Sequence, residues 1–252
     1  MRINKILSLL ILFGSLQACY VPVEPDRNQN EQASAVNVQL GIGYLQQNNL
    51  ELANDKLDKA LRQDPNSASA HNAYAILQDR LLQTEKAEYH YKKATTLDPK
   101  NSQAANNFGA FLCRHGRELE SEKYFMQALK NPLYSTPEFA YTNAALCLLQ
   151  FGEQRETEKA KEYLRKAIAA KNDFGPALLA MAQLLFDQGE YVAAKPYLDR
   201  FHLVDRPTAR SLWLAIRNTL QIDGQGNVTE LAQRLGDEFP DSEEFKAWRA
   251  IQ

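Results

Sequence analysis

Apolar residues recur along most of this chain at the spacing of one helix face, and the pattern repeats about every 34 residues. Three segments align almost without gaps: LGIGYLQQNNLELANDKLDKALRQDP (40–65), YAILQDRLLQTEKAEYHYKKATTLDP (74–99) and FGAFLCRHGRELESEKYFMQALKNP (108–132). A fixed period of this length indicates a repeat architecture, in which each unit stacks only on its neighbours. The 3.6-residue spacing within each unit predicts two helices joined by a turn.

Each unit carries small residues at two positions where its two helices must come closest. A large residue precedes the first small residue, and a second small residue follows twelve positions later: Leu40-Gly41 with Ala53, Tyr74-Ala75 with Ala87, and Phe108-Gly109 with Ser121. Small side chains let antiparallel helices approach, while the large neighbours fill the flanking gaps. A proline then ends the second helix. The length and these positions resemble the tetratricopeptide repeat (TPR).

Later units are less regular, but the same positions can be followed to the end of the chain. We therefore predict an all-α fold, a right-handed superhelix of about six TPRs over residues 34–252, with thirteen helices give or take one and no second domain. The predicted repeats and cap lie near 34–67, 68–101, 102–135, 136–174, 175–207, 208–241 and 242–252, the last being a C-terminal capping helix.

The N-terminus has the pattern of a secretory signal. Arg2 and Lys5 precede an apolar run at 6–16, which is shorter than the roughly 20 residues that a spanning helix needs. The following LQAC resembles a bacterial lipobox, which predicts a signal peptide at 1–18 and lipidation of Cys19. The alternative is an ordinary signal peptide with an incidental cysteine.

The residues after Cys19 suggest where the protein resides. Inner-membrane lipoproteins of Gram-negative bacteria typically carry Asp after the lipidated cysteine, whereas this chain has Tyr20. The resemblance therefore implies the periplasmic face of the outer membrane. Residues 19–33 are rich in polar residues with two prolines, and we expect a lipidated N-terminus and a flexible tether there.

Charge and motif content argue against several function classes. The net charge of −2 and the pI of about 6.1 give no electrostatic reason to expect nucleic-acid binding. The chain has no GxSxG, P-loop or GxGxxG motif, and its four histidines lack metal-ligand spacing. We expect a protein that is not an enzyme and that uses no metal or cofactor.

Two cysteines remain once Cys19 is assigned to the lipid anchor. Cys113 and Cys147 fall on the first helices of the third and fourth repeats, which are neighbours in the stack. In an oxidising compartment such a pair tends to form a disulfide, which we predict here. The alternative is two buried thiols that act as small hydrophobic residues.

The first helix of each TPR lines the concave surface, where a partner would bind. The predicted groove residues are Val38, Ile42, Leu45, Asn72, Ile76, Asn106, Asn107, Arg114 and Asn143. The first three form an apolar stripe that we expect to be exposed for a partner segment. Charged replacements at Ile42 and Leu45 should then abolish binding without unfolding. The alternative is that the tether or a sister molecule covers the stripe.

A more specific resemblance comes from four longer stretches. They are NNFGAFLCRHGR (106–117), NPLYSTPEFAYTNAALCLLQFG (131–152), AKEYLRKAI (160–168) and TARSLWLAIR (208–217). Together with the lipobox they resemble the type IV pilus biogenesis and stability lipoproteins, the pilotin family called PilF or PilW. The resemblance implies an outer-membrane lipoprotein whose partner is the pilus secretin or another pilus assembly protein. It would support secretin localisation and multimerisation, or stabilise pili. The alternative is a general periplasmic TPR scaffold for other envelope machinery, such as cell-wall synthesis.

Overall fold

The computed structural model describes residues 27–151, 154–224 and 228–252. These ranges contain thirteen α-helices and no β-strand. The helices are α1 (Arg27–Gln46), α2 (Leu50–Gln63), α3 (Ala68–Arg80), α4 (Thr84–Leu97), α5 (Ser102–Arg114), α6 (Glu118–Leu129), α7 (Pro137–Phe151), α8 (Gln154–Ala170), α9 (Gly175–Asp187), α10 (Tyr191–Val204), α11 (Ala209–Asp223), α12 (Thr229–Glu238) and α13 (Glu243–Ala250). The predicted signal peptide at 1–18 and the lipidation site Cys19 lie outside the described residues.

The helices form consecutive antiparallel pairs, from α1 with α2 to α11 with α12, and α13 packs on the last pair. The first helix of each pair also contacts the first helix of the next, so that α1, α3, α5, α7, α9 and α11 lie side by side along an inner layer. The predicted all-α TPR superhelix is confirmed by this arrangement. None of the described helices is both long and apolar enough to cross a membrane.

The small residues of the repeat lie at the points of closest helix approach. Ala53, Ala87 and Ser121 are completely buried. A Cβ placed on Gly41 would lie 2.5 Å from Leu57 Cγ, so the side chain on α2 fills the space that a larger residue on α1 would need. Each pair of helices is therefore held at a distance that the small residues set.

In several repeats a residue with a left-handed backbone conformation follows the end of the first helix. Asn48, Leu82 and Gly116, which are 34 residues apart, have φ values of 56°, 58° and 71°, and Gly189 has 78°. Only glycine, and to a lesser degree asparagine, adopts this backbone at low cost. Leu82 therefore accepts a strained backbone at a position that the repeat geometry imposes.

The first helix starts earlier than the sequence indicates. The prediction of a flexible tether over 19–33 is wrong for residues 27–33, which belong to α1, and its residues 19–26 lie outside the described part of the chain. Residues 28–33 are exposed or half-buried and need no apolar face, and the next turns of α1 dock through polar groups. Ser34 Oγ donates to the Ala60 carbonyl at 2.9 Å, and Asn37 Nδ2 donates to Gln63 Oε1 at 2.8 Å. Hydrophobic periodicity does not register such contacts.

Candidate partner-binding surface

The apolar stripe predicted on α1 is not exposed. Val38 and Leu45 are only 4% and 3% accessible, and Ile42 is half-buried against the same core cluster. That cluster includes Ala73 and Leu77 of α3. The expectation of an exposed stripe, available for a partner, was therefore wrong for Val38 and Leu45.

The stripe is buried because the first two helices of the inner layer pack directly against each other. Because α1 and α3 are in direct contact, Val38 and Leu45 face the neighbouring helix and not the open groove. The end of the stripe is closed as well, since Arg80 Nη1 donates to the Leu45 carbonyl at 2.6 Å. Leucine and valine here stabilise the junction between the first two repeats.

The predicted groove asparagines also join neighbouring inner helices. Asn107 Nδ2 on α5 donates to Asn72 Oδ1 on α3 at 3.1 Å. Asn143 Nδ2 on α7 donates to Asn106 Oδ1 on α5, also at 3.1 Å. Asn106 is buried, whereas the other three are half-buried. These amides fix the register of adjacent repeats and leave Asn72, Asn107 and Asn143 partly accessible to a partner.

Two further predicted residues lie beside this amide ladder. Arg114 on α5 pairs with Asp79 on α3, and its side chain is 55% exposed. His115 Nε2 lies 3.9 Å from the other oxygen of the same carboxylate. Ile76 is half-buried and packs against the core clusters of the first three repeats. Of the predicted groove residues on the first three repeats, Arg114 is the most accessible.

The two remaining cysteines meet between α5 and α7. The structure joins Cys113 to Cys147 with a Cα separation of 5.8 Å across 34 residues of sequence. Both are nearly buried, and Ser121 Oγ lies 3.3 Å from the sulfur of Cys147. The bond lies at the same junction as the pair formed by Asn106 and Asn143, so the third and fourth repeats are linked both covalently and by hydrogen bonding.

An apolar cleft in the second half of the inner layer was missed in the sequence analysis. It encloses about 1230 Å³ and lies between α7, α9 and α11, with contributions from α8 and the turn after α9. Its apolar lining is Leu146, Leu149, Pro176, Leu179, Ala180 and Leu184. Leu146, Leu149 and Leu179 occupy the repeat positions that Ile42, Leu45 and Val38 hold in the first repeat. Reading the same repeat positions in the sequences of repeats four and five would have identified these leucines.

The inner surface is suited to binding a polypeptide. Leucines, primary amides and single charges line it, and within the described parts of the chain no three His, Cys, Asp or Glu side chains converge as metal ligands would. Amides can satisfy both donor and acceptor groups of a bound backbone, and leucines can bury apolar side chains.

Comparison with known proteins identifies the family. The type IV pilus assembly protein PilF of Pseudomonas aeruginosa is 33% identical over 229 residues, which are 91% of this chain and 89% of that protein. This chain belongs to the PilF family of type IV pilus biogenesis TPR proteins. The tetratricopeptide repeat model matches residues 153–210. An uncharacterised Haemophilus influenzae protein is 34% identical over 65% of this chain and 91% of its own length.

Solved structures of the PilF family have the same fold. The structure of Pseudomonas aeruginosa PilF superimposes with a TM-score of 0.78 at 32% identity, covering 89% of this chain and all of that chain. PilW, described as a type IV pilus biogenesis factor, superimposes with a TM-score of 0.76 at 28% identity, covering 86% and 98%. The likeness therefore extends over most of the chain.

Proposed function

We propose that this protein is a lipid-anchored, non-catalytic TPR scaffold of the outer membrane that binds a protein partner during type IV pilus biogenesis. It would support the localisation and multimerisation of the pilus secretin, or stabilise assembled pili. The observation that carries the proposal is the 33% identity to PilF across 91% of the chain. The shared fold supports it over the same length.

The inner surface supplies the binding capacity for this role. Repeat-to-repeat junctions are fixed by the asparagine pairs and by the bond between Cys113 and Cys147, so the surface is formed before the partner arrives. A preorganised surface loses little conformational entropy on binding. Arg114, Asn107 and Asn143 offer polar contacts in the first half, and the leucine-lined cleft offers apolar contacts in the second.

The anchor would hold this surface close to the bilayer. Because α1 begins at Arg27, seven residues separate it from Cys19. Even a fully extended chain of that length reaches only about 28 Å. Lipidation of Cys19 with more than one acyl chain would provide a stable attachment, since a single chain gives only a marginal hold. The scaffold would then act on partners at the inner leaflet of the outer membrane.

Deletion of the gene followed by complementation tests the proposal. The deletion strain should lose secretin multimers or surface pili, and the wild-type chain should restore them. Complementation with Cys19→Ser should restore neither, although the domain accumulates at normal levels. Normal secretin multimers together with normal pili in the deletion strain would overturn the proposal and favour a general scaffold for other envelope machinery.

A further inference from the structure

The cleft between α7, α9 and α11 has an apolar floor that the fold leaves partly uncovered. Leu146 is 45% exposed, whereas Ile42 and Ile76 at the equivalent positions of the first two repeats are half-buried, and Leu149 and Leu179 are half-buried beside it. Gln150 and Gln183 stand among the leucines. A surface that alternates apolar side chains with amides matches a polypeptide, which presents both side chains and backbone polar groups.

The two ends of the cleft carry opposite charges. Arg210 lies in the first turn of α11 and lines the cleft together with Pro176, which lies in the first turn of α9. In the described chain Arg210 makes no hydrogen bond or ion pair, so its charge is available. Asp187 ends α9 at the other end of the cleft. It accepts a hydrogen bond from Gln183 Nε2 at 2.8 Å and forms no ion pair with any described residue.

The other charges at the acidic end are balanced within the protein. Glu190 pairs with Lys161 at 2.7 Å, and Lys161 also donates to Gln188 Oε1 at 3.0 Å. Lys161 is only 8% exposed and cannot serve an external ligand without leaving these partners. The cleft therefore presents one unpaired cation and one unpaired anion, on either side of an apolar floor.

The length of α9 along the cleft indicates the length of the segment that would fit. From Pro176 to Asp187 the α9 helix advances 11 residues, which at 1.5 Å per residue is about 16 Å. An extended chain covers that distance in about five residue steps, at roughly 3.3 Å each. A segment of six residues thus reaches from one charged end to the other.

We propose that this cleft is a docking site for an extended segment of a partner protein, about six residues long. The segment carries an acidic side chain that pairs with Arg210 and a basic side chain that pairs with Asp187. The residues between them are apolar and lie on Leu146, Leu149 and Leu179. Opposite charges at the two ends determine the direction in which the chain lies, because the reversed segment places like charges together. The inference rests on the proposed scaffold function only in requiring a protein partner.

Synthetic peptides test the proposal with the purified full chain in detergent. Three dye-labelled hexapeptides with capped ends share four apolar central residues. The first has Asp at its N-terminal end and Lys at its C-terminal end, the second has the reverse order, and the third has alanine at both ends. Fluorescence anisotropy gives the three dissociation constants. We expect one charged order to bind at least about tenfold more tightly than the other two peptides.

A charge exchange provides the deciding variant. In Arg210→Glu/Asp187→Arg the charges of the cleft are reversed, so the preferred peptide order should reverse as well. The matched control is Lys195→Glu/Asp199→Arg, which exchanges an exposed ion pair on α10 outside the cleft and should keep the wild-type order. All four sites are on the surface, so thermal unfolding midpoints should change little.

The following results would overturn the docking site. They are equal affinity for all three peptides, no binding up to about 1 mM peptide, or an unchanged order of preference in the exchanged variant. These outcomes do not depend on pilus phenotypes. A deletion strain with normal pili would refute the proposed function and leave the peptide result in place, whereas failed peptide binding would leave the pilus assays unaffected.

Discussion

The ring of Phe125 on α6 lies so close to Gly109 on α5 that a Cβ at position 109 would stand 2.8 Å from two of its carbons. Phe125 is completely buried, so it cannot turn away. Gly109→Ala should therefore lower the free energy of unfolding by about 1–3 kcal/mol, measured by urea denaturation.

Gly43 on α1 is a matched control for that substitution, because a Cβ there would meet no atom within 4 Å. Gly43→Ala should stabilise the helix by about 0.5–1 kcal/mol. Equal effects of the two substitutions would contradict the close packing of α5 on α6.

Leu45 occupies a core position and Leu40 a surface position on the same helix, α1. Leu45 is 3% exposed and Leu40 is 45% exposed. Leu45→Glu buries a carboxylate in the cluster between α1, α2 and α3, and should cost more than about 2 kcal/mol of stability. Leu40→Glu should change stability by less than about 0.5 kcal/mol. Circular dichroism during urea unfolding measures both variants, and similar midpoints would argue against the burial of Leu45.

Oxidation of Cys113 and Cys147 should contribute measurably to stability. Closing a loop across 34 residues reduces the entropy of the unfolded chain, which corresponds to about 3–4 kcal/mol in the chain-entropy model. A reducing agent should therefore lower the unfolding midpoint of the wild type. It should not affect the double variant Cys113→Ala/Cys147→Ala. Non-reducing peptide mapping that finds both thiols free would refute the bond.

Acid should destabilise the second repeat through a pair of histidines. His71 Nδ1 lies 2.7 Å from His90 Nδ1, and His71 Nε2 lies 3.1 Å from the Pro65 carbonyl. Since a carbonyl only accepts, His71 donates to Pro65 through Nε2 and accepts from His90 through Nδ1. Burial lowers the pKa of His90 to about 4 and also lowers the pKa of His71. Lys93 nearby lowers both pKa values further, whereas Asp64 opposes this effect on His71.

The direction of the pH effect follows from these lowered pKa values. Between about pH 6.5 and pH 4 an unfolded His90 takes up a proton while the folded His90 stays neutral, so stability is lost as the pH falls through this window, and the lowered pKa of His71 acts in the same direction. Thermal unfolding at pH 7.5 and pH 5 measures the loss. His90→Gln can still donate to His71 but does not titrate, and it should lose less stability at pH 5. An equal loss in this variant would show that the pair does not cause the effect.

The repeat positions predicted much of the fold because their signal is local and periodic. Gly41, Ala75 and Gly109 recur every 34 residues, and that spacing identifies the helix pairs without knowledge of their contacts. The start of α1 at Arg27 could not be read in this way, because residues 28–32 are polar and exposed or half-buried, and the next turn docks by single hydrogen bonds of Ser34 and Asn37 that leave no apolar period.

Residue type and spacing along one chain were enough to assign the family, the number of repeats and the apolar helix faces. Which apolar positions remain open depends on how the helices pack in three dimensions. Ile42 and Leu146 hold the same repeat position, yet Ile42 is half-buried against the cluster that α1 forms with α3, while Leu146 is 45% exposed in the cleft between α7, α9 and α11. That difference depends on the distance between neighbouring inner helices. Side chains from several repeats set this distance together, and no single repeat encodes it.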